Sequence, residues 1–430
     1  VYWYENNGAG SFELQSVVAS DVNGAWVVST ADIDGDGDID AVSAARDDDS
    51  IVWFENNGDG QFGEEHVISL YTRSSKDVRF ADFNGDGVLD VAARSSHDDK
   101  VAWFENLGQG VFSDEVMLST QVSGANTVIA ADLNGDGLSD VVSTALFDNK
   151  IAWYENSGGS EFGSQQVITS EATPIEAVHA ADLDDDGDVD LISISDQENK
   201  INWHQNDGTG SFSAQQAISA PADGVISVNT TDMDGDGDLD IISAAGNYGV
   251  AWYENQGSGA FGPKQAVSTV LINPNWVDAD DVDGDGDPDL ICSSYSSLVW
   301  IENLGGASFG DEVLMTNEDI SIKSARVYDL DGDEHMDVLV ARSFNTVSWF
   351  RNNGNGEFGD EIVITESAGF SRHATAVDLD NDGDLDVLSA SENDNKIAWY
   401  ENVGLGNFGA QQIITLETER AWYVSSADLD

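Results

Sequence analysis

The sequence predicts an all-β protein in which one four-stranded antiparallel unit is copied along 430 residues. Two repeated motifs carry that reading. The tetrad Trp-aromatic-Glu-Asn begins at Trp3 and returns, with variation, at Trp53, Trp103, Trp153, Trp203, Trp252, Trp300, Trp349 and Trp399. An acidic block, Asp-x-Asp-Gly-Asp-Gly-x-x-Asp, begins at Asp32, Asp82, Asp132, Asp182, Asp232, Asp281, Asp329 and Asp378, and starts again at Asp428. Both series step by 48 to 50 residues, which means one repeated supersecondary unit rather than several unlike domains. A third observation sets the class. No stretch shows helical periodicity, and short apolar runs alternate with Asp-, Asn- and Gly-rich connections.

Residues 21–70 show the unit element by element. A β-rich run at 27–31 leads into the acidic loop 32–40, and a second apolar run follows at 41–45. After a polar turn, residues 51–55 form a third, aromatic-rich run holding Trp53 and Phe54. Asn57-Gly58-Asp59-Gly60 is a turn, Asn-Gly being the strongest short hairpin signal. A fourth run, 61–69, carries Phe62, Val67 and Ile68. Four antiparallel strands in about 50 residues is the arithmetic of a β-propeller blade. A β-helix is the competing architecture, but its coils are much shorter than this period. Residues 1–430 are therefore read as a single repeat-built propeller of eight or nine units, the first and last incomplete. Three arrangements fit: a ring of eight with an overhanging unit, a ring of nine, or a window of a longer array. The window is favoured.

Composition narrows function. Against 81 Asp and Glu stand 16 Lys and Arg, a formal charge of −65. Such a charge repels phosphate backbones and anionic headgroups, which argues against nucleic acid or a membrane surface as partner. No run of about 18 apolar residues is present, so no membrane insertion is expected. The 12 Trp, 17 Phe and 10 Tyr supply a core and argue against disorder. One cysteine, Cys292, allows no internal disulfide and reads as a small core residue.

The acidic loop carries the strongest chemical signal. In Asp32-Ile33-Asp34-Gly35-Asp36-Gly37-Asp38-Ile39-Asp40, carboxylates at positions one, three and five can converge on one point if the chain curls. Gly at position six supplies the positive φ of that curl, position seven offers a backbone carbonyl, and Asp at position nine closes the shell. Hard oxygen ligands without His or Cys select Ca2+, with Mg2+ the weaker candidate. An EF-hand would close with Glu at position twelve, where Ser43 stands, and would have helical flanks. A lone Asp-Gly run is as readily a solvated turn, but eight copies in one register are not.

The same positions name the other candidate ligands. They are Asp82, Asn84, Asp86, Val88 and Asp90; Asp132, Asn134, Asp136, Leu138 and Asp140; Asp182, Asp184, Asp186, Asp188 and Asp190; and Asp232, Asp234, Asp236, Asp238 and Asp240. Asp281, Asp283, Asp285, Asp287 and Asp289 follow, then Asp329, Asp331, Asp333, His335 and Asp337, then Asp378, Asp380, Asp382, Asp384 and Asp386. About one ion per complete repeat, up to eight, is expected. Glu334 replaces the position-six Gly of the seventh loop, a strain of about 1 kcal/mol, so that site is predicted to be the weakest or to adopt a different curl. The metal's role is structural, because an empty loop repels itself and ion binding becomes folding energy.

These loops between strands, the Trp tetrad, and Gly-x-Gly-x-Phe-Gly, as at Gly58 to Gly63 and Gly354 to Gly359, resemble FG-GAP/VCBS repeats. Such repeats form the propellers of integrin α-subunits, some fungal lectins and many secreted bacterial surface proteins. The resemblance covers essentially the whole chain and implies calcium ligands at loop positions one, three, five, seven and nine. It also implies an extracellular or cell-surface location. No Gly-Ala-Pro follows Phe-Gly, and Phe12, Phe112 and Phe212 lack the Gly, so the repeats look bacterial in type and integrin partners do not follow.

Trp3 and its counterparts are predicted core residues. Three Trp fall outside that register, Trp26, Trp276 and Trp422, in a segment that also holds Lys76, Asn126, Glu176, Lys323 and Arg372. This segment is expected to connect one blade's outer strand to the next blade's inner strand and to offer a binding face for a glycan or a protein. Packing beneath the connecting loops is the competing role for these Trp. Catalysis has no motif behind it. A polysaccharide lyase would have to draw on His179, His373 and Arg372, and a non-enzymatic scaffold is expected instead. Two scaffold roles stand: an adhesion or lectin-like module, and a structural subunit assembling into an oligomer, layer or filament.

Overall fold

A computed structural model describes the chain except residues 1–2, 7–11, 17–24, 46–48, 57–61, 71, 73–77, 160, 171–174, 196–199, 219–224, 247–248, 269–270, 317–320, 355, 381, 417–420, 422 and 425–430. Its described residues form eight four-stranded antiparallel sheets, each a meander of consecutive strands, and one two-stranded sheet near the start. These are the predicted propeller blades. No helix among the described residues is long and apolar enough to cross a membrane.

The first blade shows how closely chain chemistry sets the elements. Its strands are Ala25–Ala31, Asp40–Ala45, Ser50–Asn56 and Phe62–Ser69. The predicted runs match these within two residues. The acidic loop joins the first strand to the second, so Asp at loop position nine is also the first residue of the second strand. The tetrad Trp lies on the third strand, where Trp153 sits opposite Val142 of the second strand.

Packing happens between blades. One core cluster joins Phe83, Val101 and Trp103 of the second blade to Val122, Val128, Val141 and Tyr154 of the third. Leu133, Val142 and Trp153 likewise meet Ile175, Val178 and Leu191 of the fourth. The eight tetrad Trp from Trp53 to Trp399 are all buried, as predicted; the Trp3 side chain lies outside the described residues. Loop position two is apolar in every copy and buried in every copy, from Ile33 to Leu379. Each acidic loop thus sits on an apolar plug.

A second junction explains the Gly-x-Gly-x-Phe turn. Trp53 Nε1 donates to the carbonyl of Gly110, a turn residue of the following blade, at 3.1 Å. Trp203 also lies against Gly259, where an added Cβ would stand 1.9 Å from the indole, although its Nε1 donates to Asp190 instead. The Phe of the same turn meets the same indole edge-on, with Trp203 and Phe261 centroids 6.2 Å apart. The turn of one blade is therefore the lid on the Trp of the blade before it.

The substitution Gly259→Ala is expected to cost about 3 kcal/mol, because it overfills the Trp203 contact and places a Cβ at φ +69°. Chemical denaturation of the variant and the parent measures this. A loss below about 0.5 kcal/mol, within the range of ordinary surface changes, would contradict the junction.

Candidate metal centres

Each acidic loop is shaped by its own carboxylates before any ion arrives. In the first, Asp32 accepts the amides of Gly35 at 2.8 Å and Gly37 at 3.1 Å. Asp34 accepts the Asp36 amide, and Asp36 accepts that of Asp38. Gly35 and Gly37 both have positive φ, +79° and +100°. Position four therefore needs the left-handed conformation as much as position six does, which the sequence reading missed although the Gly-x-Gly spacing signalled it. Asp185 holds position four in the fourth loop at φ 54°, a conformation Asp tolerates, and Glu334 holds position six in the seventh at φ 70°.

The curl brings positions one, three and five together. Their carboxylate oxygens lie within 4.8 Å of one another in Asp32/Asp34/Asp36, Asp182/Asp184/Asp186, Asp232/Asp234/Asp236, Asp281/Asp283/Asp285 and Asp329/Asp331/Asp333. The second and third loops, with Asn84 and Asn134, keep the same frame: Asp82 and Asp132 each accept the amides at positions four and six. The tetrad Glu faces this group. Glu105 accepts a hydrogen bond from Asn84 at 3.3 Å, and the charge of Glu55 helps raise the pKa of Asp34, after burial and Asp36.

A hard cation fits this donor set on a direct observation. One buried oxygen each of Asp182, Asp184, Asp378 and Asp380 has no hydrogen-bond partner, so a buried acceptor is left unsatisfied within the loop; both Asp331 oxygens also lack a hydrogen bond, but one of them is ion-paired with Arg351 at 2.6 Å. Oxygens alone, several of them anionic, suit Ca2+.

Position nine has a different local role. Asp190 is fully buried, and its carboxylate accepts the Leu183 amide at 3.3 Å, the Asn206 amide at 2.7 Å and the Trp203 indole at 2.9 Å. Asp40, Asp90, Asp140, Asp240, Asp289, Asp337 and Asp386 repeat the pair of amide bonds. Burial pushes Asp40, Asp90 and Asp190 up to about 6, and Asp140, Asp289 and Asp337 up to about 7. The structure thus makes this residue the foot of the loop.

Position seven places its side chain away from that group. Asp188, Asp287 and His335 lean against Gly208, Gly305 and Gly354 of the turn after the tetrad. Leu138 touches Gly158 in the same way.

The tetrad Asn fastens one loop to the next. Asn206 donates from its amide to Val189 O of its own loop, 3.0 Å, and to Leu133 O of the preceding blade's loop, 2.6 Å. The pattern recurs at Asn106, Asn255, Asn303, Asn352 and Asn402, and Asn156 makes the same pair to Ser139 and Phe83.

The second group of predicted residues is also partly assembled. It does not lie on blade-connecting loops, as expected from the sequence. Trp26, Asn126, Glu176, Trp276, Lys323 and Arg372 all fall inside first strands. The reason is a β-bulge near the start of each. Pairing skips Trp26, Glu176, Lys323 and Arg372, and at Lys323 and Arg372 the bulge re-aims the side chain it releases. In the sixth blade the skipped residue is Asn275 rather than Trp276. Lys76 and Trp422 lie outside the described residues, as do the side chains of Trp26 and Glu176. Asn126 donates to the Ile175 carbonyl of the next blade at 3.4 Å.

Three first strands, Pro274–Asp280, Ile322–Tyr328 and Ser371–Val377, border one cavity of about 210 Å³. Asn275, Trp276, Lys323, Arg326 and His373 line it. The Lys323 ammonium stands 5.3 Å from the Tyr295 ring centre and 5.7 Å from that of Phe370. Arg326 lies over Trp276 at 5.7 Å, and Arg372 over Phe370 at 4.7 Å. Arg372 is paired with Glu392. Burial, then Arg372, lowers the Lys323 pKa; burial, then Arg326, holds His373 down at about 4. Phe370 has φ 56°, strained for so bulky a residue, and is held there by Asn345 and Glu392. Arg326, Tyr295 and Phe370 escaped the sequence reading because their alignment with Lys323 depends on how blades pair.

FG-GAP-like repeat units match residues 1–43, 32–93, 82–143, 132–193, 182–243, 232–292, 281–340, 329–389 and 378–430, end to end. The chain belongs to the FG-GAP-like repeat family. No curated protein matches it. Among solved structures, the FG-GAP chain is similar to Sqt1 of Saccharomyces cerevisiae at TM-score 0.55, 11% identity, covering 91% of this chain and 95% of that one. An Agrocybe aegerita lectin that recognises non-reducing terminal N-acetylglucosamine aligns at TM-score 0.49 and 20% identity, covering 69% and 81%. The Vibrio cholerae biofilm matrix protein Bap1 aligns at TM-score 0.42 and 13% identity, covering 96% and 84%. At these identities the likeness concerns the fold alone.

The position-nine carboxyls fix a pH dependence. With folded pKa values of about 6 to 7 against 3.8 unfolded, the folded chain holds these protons more tightly. In chelator, stability is therefore expected to be greatest below the unfolded pKa and to fall as pH rises through about 6 to 7. In saturating calcium the opposite slope is expected, since protons compete with the ion for the loop carboxylates. Melting curves over a pH series in both buffers read the two slopes, and equal slopes would contradict the assignment.

Proposed function

We propose that this protein is a calcium-stapled binding scaffold of the extracellular space, not an enzyme, and that it takes an acidic saccharide on the bulged strands of its sixth to eighth blades. The carrying observation is the assembly of Lys323, Arg326 and Arg372 among Trp276, Tyr295 and Phe370 in a chain of net charge −65. Like charges held near one another are costly, and an anionic group removes that cost. The acidic group beside Lys323 is Glu392, which is itself ion-paired with Arg372, so one carboxylate serves two cations here and a carboxylate or sulfate of a ligand would balance the other. Tyr295 is 55% exposed and offers a ring to a sugar face. Millimolar calcium outside cells suits loops built from several carboxylates.

Calcium removal is expected to lower the melting temperature by about 10 °C or more, through the loss of several bound ions. An unchanged melting curve in chelator would sink the staple. Titration with oligogalacturonate, with a neutral cello-oligosaccharide as comparison, tests the ligand. Preference for the acidic sugar is expected, and Lys323→Glu should weaken it by about tenfold or more. Equal binding of both sugars, or no effect of Lys323→Glu, would overturn the assignment of this face.

The structural-subunit reading has one observation in its favour. The fourth strands expose an apolar side chain at the same place in several blades, with Val67, Val167, Leu314 and Ile413 each about half exposed. Outer strands with apolar faces can pair with another copy. Calcium-dependent growth in light scattering, at constant pH, would give this reading priority.

A further inference from the structure

The seventh loop faces a different residue from the others. In its tetrad, Trp349-Phe350-Arg351-Asn352, an arginine stands where Glu55, Glu105, Glu155, Glu254, Glu302 and Glu401 stand and where the fourth blade has Gln205. In five of the other blades that position acts on loop position three, by a hydrogen bond or by its charge. Glu105 accepts from Asn84, and Gln205 donates to Asp184 at 2.6 Å. Arg351 reaches the same place from the same strand. Its Nε lies 2.6 Å from Asp331 Oδ2 and its Nη2 3.1 Å from Asp333 Oδ2. The guanidinium therefore bridges positions three and five of a loop whose Asp329, Asp331 and Asp333 oxygens lie within 4.8 Å of one another, as they do in the other loops. Asp331 has a fully buried side chain, unlike position three of the other described loops, which is only partly buried.

Charge gives the same result. Exchanging Glu for Arg changes the local charge by two units, the charge of one divalent ion. The loop's framework is nevertheless intact: Asp329 accepts the amides of Gly332, Asp333 and Glu334 at 2.8, 3.1 and 3.0 Å. Leu330 and Asn352 still bond Asp337 at its foot. The other loops hold the same frame, so what sets the seventh apart is the cation of its own chain within it.

We propose that the guanidinium of Arg351 is the resident cation of the seventh loop, holding the place that calcium takes in the other loops, so that this blade closes without metal. The proposal rests on the calcium reading of the remaining loops. It also replaces the expectation of a strained, weak seventh site with a site that is already filled. Glu334 then has a reason to be tolerated. Its left-handed backbone at position six has only to close around a fixed side chain, not to admit a hydrated ion and release it again.

The test is a count of bound calcium per chain by equilibrium dialysis and metal analysis, on the parent and on Arg351→Glu, Asp333→Ala and Asp236→Ala. Restoring the tetrad Glu should add one ion per chain relative to the parent. Asp333→Ala should leave the count unchanged, because that loop holds no ion, whereas Asp236→Ala should lower it by one. An Arg351→Glu count equal to the parent's, or loss of an ion in Asp333→Ala, would overturn the proposal. A parent that binds no calcium at all would sink the calcium reading instead, and the difference between parent and Arg351→Glu would still decide the role of Arg351. Should Arg351→Glu fail to fold, hydrogen exchange of the parent in chelator serves in its place. The Gly332, Asp333 and Glu334 amides should keep their protection while those of Gly235, Asp236 and Gly237 lose it, and equal loss in both loops would refute the proposal.

Discussion

One buried carboxylate per blade holds the repeat together. Asp190 and its counterparts sit below the acidic loops with no solvent access, and every one accepts the amide of loop position two and the amide of the tetrad Asn. A carboxylate in that position cannot be left unpaired, since burying the group without its donors costs several times an ordinary hydrogen bond. The loop, the third strand and the apolar plug are consequently fixed relative to one another. The Asn then carries the constraint outward, because its side-chain amide spans from its own loop to the preceding one.

Surplus negative charge explains where the few cations are found. In a chain with 16 Lys and Arg against 81 acidic residues, each positive group is under strong attraction. Lys100 meets Glu115, Arg342 meets Glu361 and Lys396 meets Asp394, all as pairs within blades. Arg351 enters an acidic loop. The Lys323, Arg326 and Arg372 group is different in kind, because aromatic rings, rather than carboxylates alone, hold these cations close to one another. Ring faces stabilise a cation while leaving its charge largely uncancelled toward solvent.

Periodic features were legible in the sequence, and non-periodic ones were not. The Trp series predicts nine buried indoles, of which the eight described are buried, and the carboxylates at positions one, three and five predict clusters that the fold does assemble. Both depend only on spacing along the chain. Position nine was read as a metal ligand, but spacing alone cannot reveal that its carboxylate also takes two backbone amides. A clue was available. Position nine is always Asp, whereas position seven runs through Asp, Val, Leu and His. The bulge that releases Lys323 and Arg372 depends on register against the second strand, so no local pattern announces it. The change from Glu to Arg at position 351 was visible, but its meaning required knowing that the tetrad's third residue faces the loop.

The contacts between blades are made from two unlike halves. Most described blades supply a Trp and a loop carbonyl on one side, and a Gly turn and an Asn amide on the other, with Ala307 taking the glycine's place against Trp252 in the sixth. Any blade can therefore follow any other, because the half it presents is the half its neighbour lacks. Gene duplication of one 50-residue unit would insert a blade with both of its joints already made. Arg351 shows the complementary freedom: its reach is confined to its own loop, so a blade can change its cation without disturbing the joints on either side. What is inherited as a unit is the joint, and the chemistry carried between joints is free to diverge.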